Sequence, residues 1–324
     1  MTEKRVRTNR RTTAWAVLGI MLGVLLMHVC LSFIAVGLFY HFFYARYDVF
    51  CPTDLSVSDI RAATEAVSFE ANGVSLSGLL IGDGQKGVIV MVHGMRSGMD
   101  AHFAEADYFA ARGYTVFTYD GTGSRTSGGD SRCSISLARD DLNAALDYLE
   151  TSAVSDLPVF LYGHSSGGYA AATALDRANA TVAMCAFDDP IDTMCDTAKP
   201  YISFLVYLQR PLLALWNRIE AGDDANEAAR DCINRSDAPI LIIGASEDRV
   251  IPKADALYLH ESDITDPNAQ YLEWAGDHSD LWLSPAALDY RERADGSIDR
   301  LLYNAVDPVF LDTVLTFFDA AVSN

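Results

Sequence analysis

Residues 158–170 read PVFLYGHSSGGYA, and this stretch leaves little choice of local structure. An apolar run breaks into Gly-His-Ser-Ser-Gly-Gly and resumes as the helix-favouring YAAATAL. The pattern predicts a buried strand, a tight turn and a helix in succession. Gly163-His164-Ser165-Ser166-Gly167 fits Gly-x-Ser-x-Gly, in which a serine occupies a strained strand-to-helix corner and projects its hydroxyl. The flanking glycines are needed because a side chain at either would strike the neighbouring strand or helix. Ser165 is the candidate nucleophile; the plainer alternative is a turn serine that caps the helix.

The rest of the chain alternates around this stretch. Asn72-Gly73 between residues 67–71 and 74–81 is a hairpin signal and predicts two antiparallel strands. Further strands are expected at 87–92, 114–119, 159–162, 181–187, 240–244 and 270–274, and helices at 100–112, 136–149, 166–177, 253–260 and 309–321. Strands separated by helices imply right-handed crossovers and an α/β fold whose mostly parallel sheet is covered on both faces. Residues 188–237 depart from the alternation, being far longer than one crossover needs. They contain YISFLVYLQRPLLALW at 201–216, where Gln209-Arg210-Pro211 interrupts the apolar run. An inserted helical cap is therefore expected rather than a second membrane crossing. Residues 284–307 form another insertion, with no functional reading.

Residues 14–43 contain no Asp, Glu, Lys or Arg. A helix of that length reaches about 45 Å at ~1.5 Å per residue, enough for a tilted crossing of a ~30 Å hydrocarbon layer. No small-x-small cleavage site follows it, so an uncleaved anchor is expected rather than a removed signal. Lys4, Arg5, Arg7, Arg10 and Arg11 precede it against Glu3 alone, which predicts a cytoplasmic N-terminus and an extracytoplasmic remainder. The expected organisation is a basic tail over 1–13, a transmembrane anchor over 14–43, a juxtamembrane linker over 44–65 and a globular domain over 66–324. With a net charge of −20 overall, the chain lacks the basic footprint that nucleic acid requires. Of its six cysteines, Cys195 and Cys232 bracket one segment and suggest a disulfide in an oxidising compartment. No Cys-x-x-Cys or His-x-x-x-His spacing points to a metal.

A serine hydroxyl needs a base within reach, and the base needs an orienting carboxylate. Of seven histidines, His28 and His41 fall in or at the edge of the anchor. His93 and His164 sit beside glycine turns, and His102 and His260 fall in predicted helices. His278 remains, in Gly276-Asp277-His278-Ser279 after the last strand, at the carboxyl edge where parallel α/β sheets bind ligands. Asp248, in GASEDRVIP after the preceding strand, is the best-placed acid; Glu247, Asp277 and the Asp188-Asp189 pair stay open as rivals. The order Ser165, Asp248, His278 is the one this kind of corner uses. Backbone N–H groups of Met95, after the strand GVIVMV, and of Ser166, at a helix start, are the candidate oxyanion donors.

VIVMVHGM, YTVFTYDGTGSRTSGG, LYGHSSGG, GASEDRVIP and GDHSD, in this order and spacing, resemble the α/β-hydrolase superfamily. They are similar in particular to its membrane-anchored serine hydrolases and its serine-aminopeptidase-like or monoacylglycerol-lipase-like branch. The resemblance covers about residues 66–280 and the final helix. It implies an α/β-hydrolase fold with an eight-stranded, mostly parallel sheet, no cofactor, and a covalent acyl-enzyme on Ser165. Asp120-Gly121-Thr122-Gly123 departs from relatives that carry an arginine or aromatic residue there, which concerns a loop conformation rather than the triad.

These readings together imply a membrane-anchored serine hydrolase that cleaves a small-molecule carboxylic ester, acyl or lipid-like, with residues 201–216 lining an acyl pocket. The alternatives are an amidase or peptidase built from the same parts, and a catalytically inactive membrane-tethered binding protein. The filled triad positions argue against the latter, and the branch itself does not fix a substrate.

Overall fold

The computed structural model describes residues 2–294 and 296–322. For residues 2–11 it describes the backbone alone, so the side chains of the basic cluster in the expected tail lie outside the described residues. α1 (Thr2–Phe43) is one unbroken helix. Its residues 12–43 are long and apolar enough to cross a membrane. Beyond Ser32 one stripe is covered: Val36, Tyr40 and Tyr44, four residues apart and therefore on one face, are buried.

The segment after α1 is clamped to the domain. The Arg46 guanidinium donates to the carbonyls of Arg125, Ser127 and Gly129, and Arg132 donates to those of Phe43 and Ala45. Single bridges join Ala45 to Ser131 and Tyr47 to Ser124.

The sheet has eight strands: β1 (Thr64–Ala71), β2 (Val74–Ile81), β3 (Val88–Val92), β4 (Thr115–Tyr119), β5 (Val159–His164), β6 (Ala180–Met184), β7 (Ile240–Ala245) and β8 (Ala269–Trp274). Their order is β1-β2-β4-β3-β5-β6-β7-β8. β1–β2 and β2–β4 pair antiparallel, and every other pair is parallel. The eight-stranded, mostly parallel architecture expected from the sequence is present. β3 and β6 are buried at all five positions, as strands covered on both faces require.

α2 (Phe103–Ala110) and, at the far end of the chain, the closing helix cover one face, where Phe109, Phe160, Phe310 and Phe318 meet. α3 (Leu137–Glu150) and α4 (Ser166–Thr173) cover the other, through Leu142, Leu146, Ala170 and Ala171. Each of the large side chains contributes about 1.5–3 kcal/mol by leaving water. The insertion over 188–237 is helical, with α5 (Pro190–Ile202), α6 (Arg210–Ala221) and α7 (Ala229–Asn234). The insertion at 284–307 holds α8 (Pro285–Arg293) and α9 (Arg300–Tyr303), and α10 (Pro308–Ala321) is the closing helix.

Three local expectations fail for identifiable reasons. The strand expected to reach residue 187 stops at Met184, because Cys185 takes a φ of 47° that no strand continues through. Residues 253–260 form turns and one short 3-10 turn (Leu257–His260) rather than a helix. There, Ala256 bridges Phe187 and the Leu257 N–H donates to Ala186, so this backbone is tied to the chain leaving β6. Cys195 and Cys232 are both buried free thiols, not a disulfide; the Cys232 sulfur faces Glu227 and Arg235 instead.

Candidate active site

Ser165 directly follows β5 at the centre of the sheet with φ 57° and ψ −120°, a conformation that costs a non-glycine residue about 1–3 kcal/mol. The corner is held from both sides: its N–H donates to Met184 and its carbonyl accepts from Tyr169. Backbone crowding explains the two flanking glycines. A Cβ on Gly163 would stand 2.2 Å from the Gly167 carbonyl oxygen, and one on Gly167 would stand 2.1 Å from that of Val92.

β7 and β8 deliver the other two groups to the same sheet edge. His278 Nδ1 lies 2.8 Å from Asp248 Oδ2, while Asp248 Oδ1 accepts the backbone N–H groups of Val250 and Ile251 at 2.8 and 3.0 Å. Burial pushes the Asp248 pKa up, but the His278 hydrogen bond and charge, with those two N–H donors, outweigh it and hold the carboxyl below its ordinary value. With Asp248 on Nδ1, the proton-accepting position of the His278 ring is Nε2. The ring is only 7% exposed, and it lines one cavity with Ser165. Among the described residues no hydrogen bond yet joins Ser165 Oγ to this ring; such contacts commonly tighten on substrate binding.

The rival carboxylates are engaged elsewhere. Glu247 pairs with Arg249, Asp277 accepts the N–H of His278 rather than its ring, Asp188 pairs with Arg230, and Asp189 caps α5. Sequence alone could not separate them, because the choice rests on side-chain direction.

Two histidines set aside on sequence grounds support the site. His93 Nε2 accepts the Gly121 N–H at 3.1 Å, which places the ring proton on Nδ1, where it donates to the Gly94 carbonyl at 2.8 Å. This ring fixes the loop carrying Met95 and, with Asp141 accepting the Thr122 N–H and hydroxyl at 2.7 Å, ties in the departing Asp120–Gly123 segment. His164 Nε2–H donates to the backbone carbonyl of His278 at 2.8 Å. Burial, then the nearby charges of His278 and His102, keep the His164 pKa well below its ordinary value, so the ring is a neutral donor. The first side chain of the motif thus reaches across to hold the loop bearing His278.

Met95 and Ser166 line the cavity beside Ser165, and among the described residues no protein acceptor takes either N–H. The Met95 loop comes close: a Cβ on Gly94 would lie 3.2 Å from that of Ser165. Ser166 opens α4, whose positive end favours an anion.

The cavity measures about 730 Å³ and is walled by Met194, Ala198 and Ile202 of α5, Trp282, and Phe39 and Phe43 of α1. The expectation that residues 201–216 line it holds only for Tyr201 and Ile202. α6 instead packs against α1, where Trp216 Nε1 donates to the Phe33 carbonyl at 3.3 Å. The pocket-lining role of α1 was missed. Its signal is the four-residue spacing of Phe39 and Phe43 at the end of a segment whose hydropathy alone reads as a span.

His164, Cys185 and His278 have ligand atoms within 4.8 Å of one another. His164 Nε2 and His278 Nδ1 are already hydrogen-bonded, and burial pushes the Cys185 thiol upward, so it stays protonated. This is a poor donor set for a metal ion.

A family model described as serine aminopeptidase, S33, matches residues 83–191, a third of the chain. No curated protein sequence matches the chain. Among solved structures, an esterase of Pyrococcus furiosus aligns with TM-score 0.59 at 17% identity, covering 86% of this chain and 98% of its own. An α/β hydrolase of a Penicillium species aligns with TM-score 0.54 at 16% identity, over 81% of this chain and 100% of its own. A Butyrivibrio proteoclasticus protein with ferulic acid bound gives 0.55 at 15% identity, over 80% and 100%. At these identities the likeness establishes the fold.

Proposed function

We propose that this chain, whose fold is that of the α/β hydrolases, is a membrane-anchored serine esterase acting on carboxylic esters with an apolar acyl group. The observation that carries the reading is the 2.8 Å contact of Asp248 with His278, whose ring lines one cavity with a serine held at a strained corner. Ser165 Oγ attacks the ester carbonyl carbon as its proton passes to His278 Nε2. Negative charge on the carbonyl oxygen is met by the Met95 and Ser166 N–H groups, each worth about 3 kcal/mol in such sites. Collapse expels the alcohol, which takes the proton from His278 and leaves an acyl group on Ser165. Water then repeats the sequence and releases the carboxylic acid. Asp248 keeps the ring in the required tautomer and stabilises it when charged.

Amide cleavage would use the same parts, and the matching family model carries an aminopeptidase name. An aminopeptidase, however, must bind an ammonium group. Among the residues lining the cavity the one Asp or Glu is Asp54, which lies 3.8 Å from Arg125, while Arg96 and Arg291 also line it. That charge balance favours esters. The test is full-length protein in detergent, offered p-nitrophenyl esters of graded chain length beside aminoacyl p-nitroanilides and a fluorophosphonate label. Ester turnover and labelling, both lost in Ser165→Ala, are expected. A folded wild-type protein that takes no label would sink the reading, and faster anilide turnover would make it an amidase.

A further inference from the structure

α1 changes character along its length. Every residue from 12 to 31 is exposed. At ~1.5 Å per residue these twenty span about 30 Å, the thickness of a hydrocarbon core. From Ser32 onward the helix is part of the folded domain. The Phe33 and Trp216 rings lie 5.0 Å apart, and a Cβ on Gly37 would stand 2.7 Å from the Trp216 ring, so α1 and α6 touch through this glycine. The Tyr40 hydroxyl donates to the Leu213 carbonyl at 3.2 Å, and the Tyr44 hydroxyl to the Met194 sulfur of α5 at 3.6 Å.

The last turn of this helix is also a wall of the catalytic cavity, to which Phe39, Phe43 and Tyr44 all contribute. The Arg96 guanidinium lies 5.0 Å over the Phe43 ring, and Arg96 directly follows Met95. A helix that leaves the bilayer near residue 32 therefore carries the cavity to the lipid surface. On the cap, Tyr201, which lines the cavity, is 87% exposed, and Phe204, Leu205 and Leu208 after it are exposed as well. Apolar side chains left bare in this way mark an interaction surface, and Trp216 supplies an aromatic at the level where such rings favour the membrane interface.

We infer that α1 has two functions divided near Ser32: residues 12–31 cross the bilayer, and the docked remainder, through Phe39 and Phe43, forms the acyl-binding wall of a cavity that draws an amphiphilic ester from the adjoining leaflet. The ester part rests on the serine esterase reading. The division of α1 rests on its own contacts.

Full-length protein in phosphatidylcholine vesicles tests both. The Phe39→Ala, Phe43→Ala double variant should lower the ratio of kcat/KM on p-nitrophenyl palmitate to that on p-nitrophenyl butyrate about tenfold, with thermal melting reporting that it is folded. A chimera whose residues 12–31 are replaced by an unrelated Leu-Ala span should keep the wild-type ratio. Independently of turnover, a diazirine-bearing palmitic acid in the vesicles should crosslink the Ser165→Ala chain at residues 39–44 and 193–202. Wild-type protein that hydrolyses neither ester yet gives those adducts would remove the esterase reading and leave the acyl wall standing. An unchanged ester ratio in the double variant, with adducts confined to residues 12–31, would overturn the inference.

Discussion

Asp248 Oδ2 stands 2.8 Å from His278 Nδ1 across 30 residues of chain. The second oxygen of the same carboxylate is pinned by the N–H groups of Val250 and Ile251. Both oxygens thus have fixed partners, and the ring's orientation is set by the loop after β7. Asp248→Asn keeps the shape but offers an amide that can hold the wrong tautomer. We expect kcat on p-nitrophenyl esters to fall about 10⁴-fold with KM nearly unchanged. A loss smaller than tenfold would mean another carboxylate serves the base.

The same contact has a stability consequence. A carboxyl held below its ordinary value stabilises the fold above the unfolded pKa of about 3.9, and that contribution is lost as pH falls through the lower folded value. The difference in unfolding free energy between wild type and Asp248→Asn should therefore be constant near neutrality and shrink below about pH 4. Denaturant titrations at pH 7 and in the acid limb measure it.

Ser165 carries backbone strain at φ 57°. Alanine removes the hydroxyl and keeps the strain, whereas glycine accepts the conformation freely. Both variants should be inactive, with Ser165→Gly about 1 kcal/mol more stable than Ser165→Ala. Equal melting temperatures would show that the corner stores no such energy.

His164 reaches His278 through the main chain, donating to its carbonyl at 2.8 Å while its ring sits 5.0 Å from Trp282. His164→Phe preserves the aromatic packing and deletes the donor. The loop then loses one buried hydrogen bond, about 1 kcal/mol of stability, and His278 loses its registration with Ser165. A drop in kcat of roughly tenfold to a hundredfold is expected, with fluorophosphonate labelling slowed in proportion. Unchanged labelling would reduce His164 to a packing residue.

The alternation of apolar strands and helices made the sheet legible, because strands such as β3 and β6 are buried on both faces and must read as continuous apolar runs. Ser165 was legible for a related reason: the glycines at 163 and 167 meet backbone, so nothing larger fits. What stayed hidden depends on direction and long-range contact. Asp248, Glu247 and Asp277 differ in which way they point, and no spacing records that. The contribution of Phe39 and Phe43 to the cavity depends on α6 docking against α1, a contact between residues some 180 positions apart. Hydropathy reads residues 14–43 as one span, while packing divides them near Ser32.

Asp255 lies under the cap with 5% of its surface exposed, and its Oδ2 has no hydrogen-bond partner among the described residues. Burial, then the charges of Asp196, Asp192 and Asp189, raise its pKa to about 7, with His260 opposing weakly. Arg210 pairs with Asp189 and Asp192, leaving Asp255 the member whose charge is least compensated. The folded pKa exceeds the unfolded value of about 3.9, so the fold holds this proton through pH 5 and gives it up only near neutrality. Stability from this group is accordingly fully present below the unfolded pKa and is lost progressively as pH rises from about 3.9 to about 7. Asp255→Asn removes the charge and keeps the volume. It should raise unfolding free energy by roughly 2–4 kcal/mol at pH 8 and by almost nothing near pH 3. Because His278 and Ser165 are untouched, ester turnover should change little. An equal gain at both pH values would mean the variant acts through packing, and a loss at pH 8 would mean the carboxylate is stabilised by a partner that its buried position conceals.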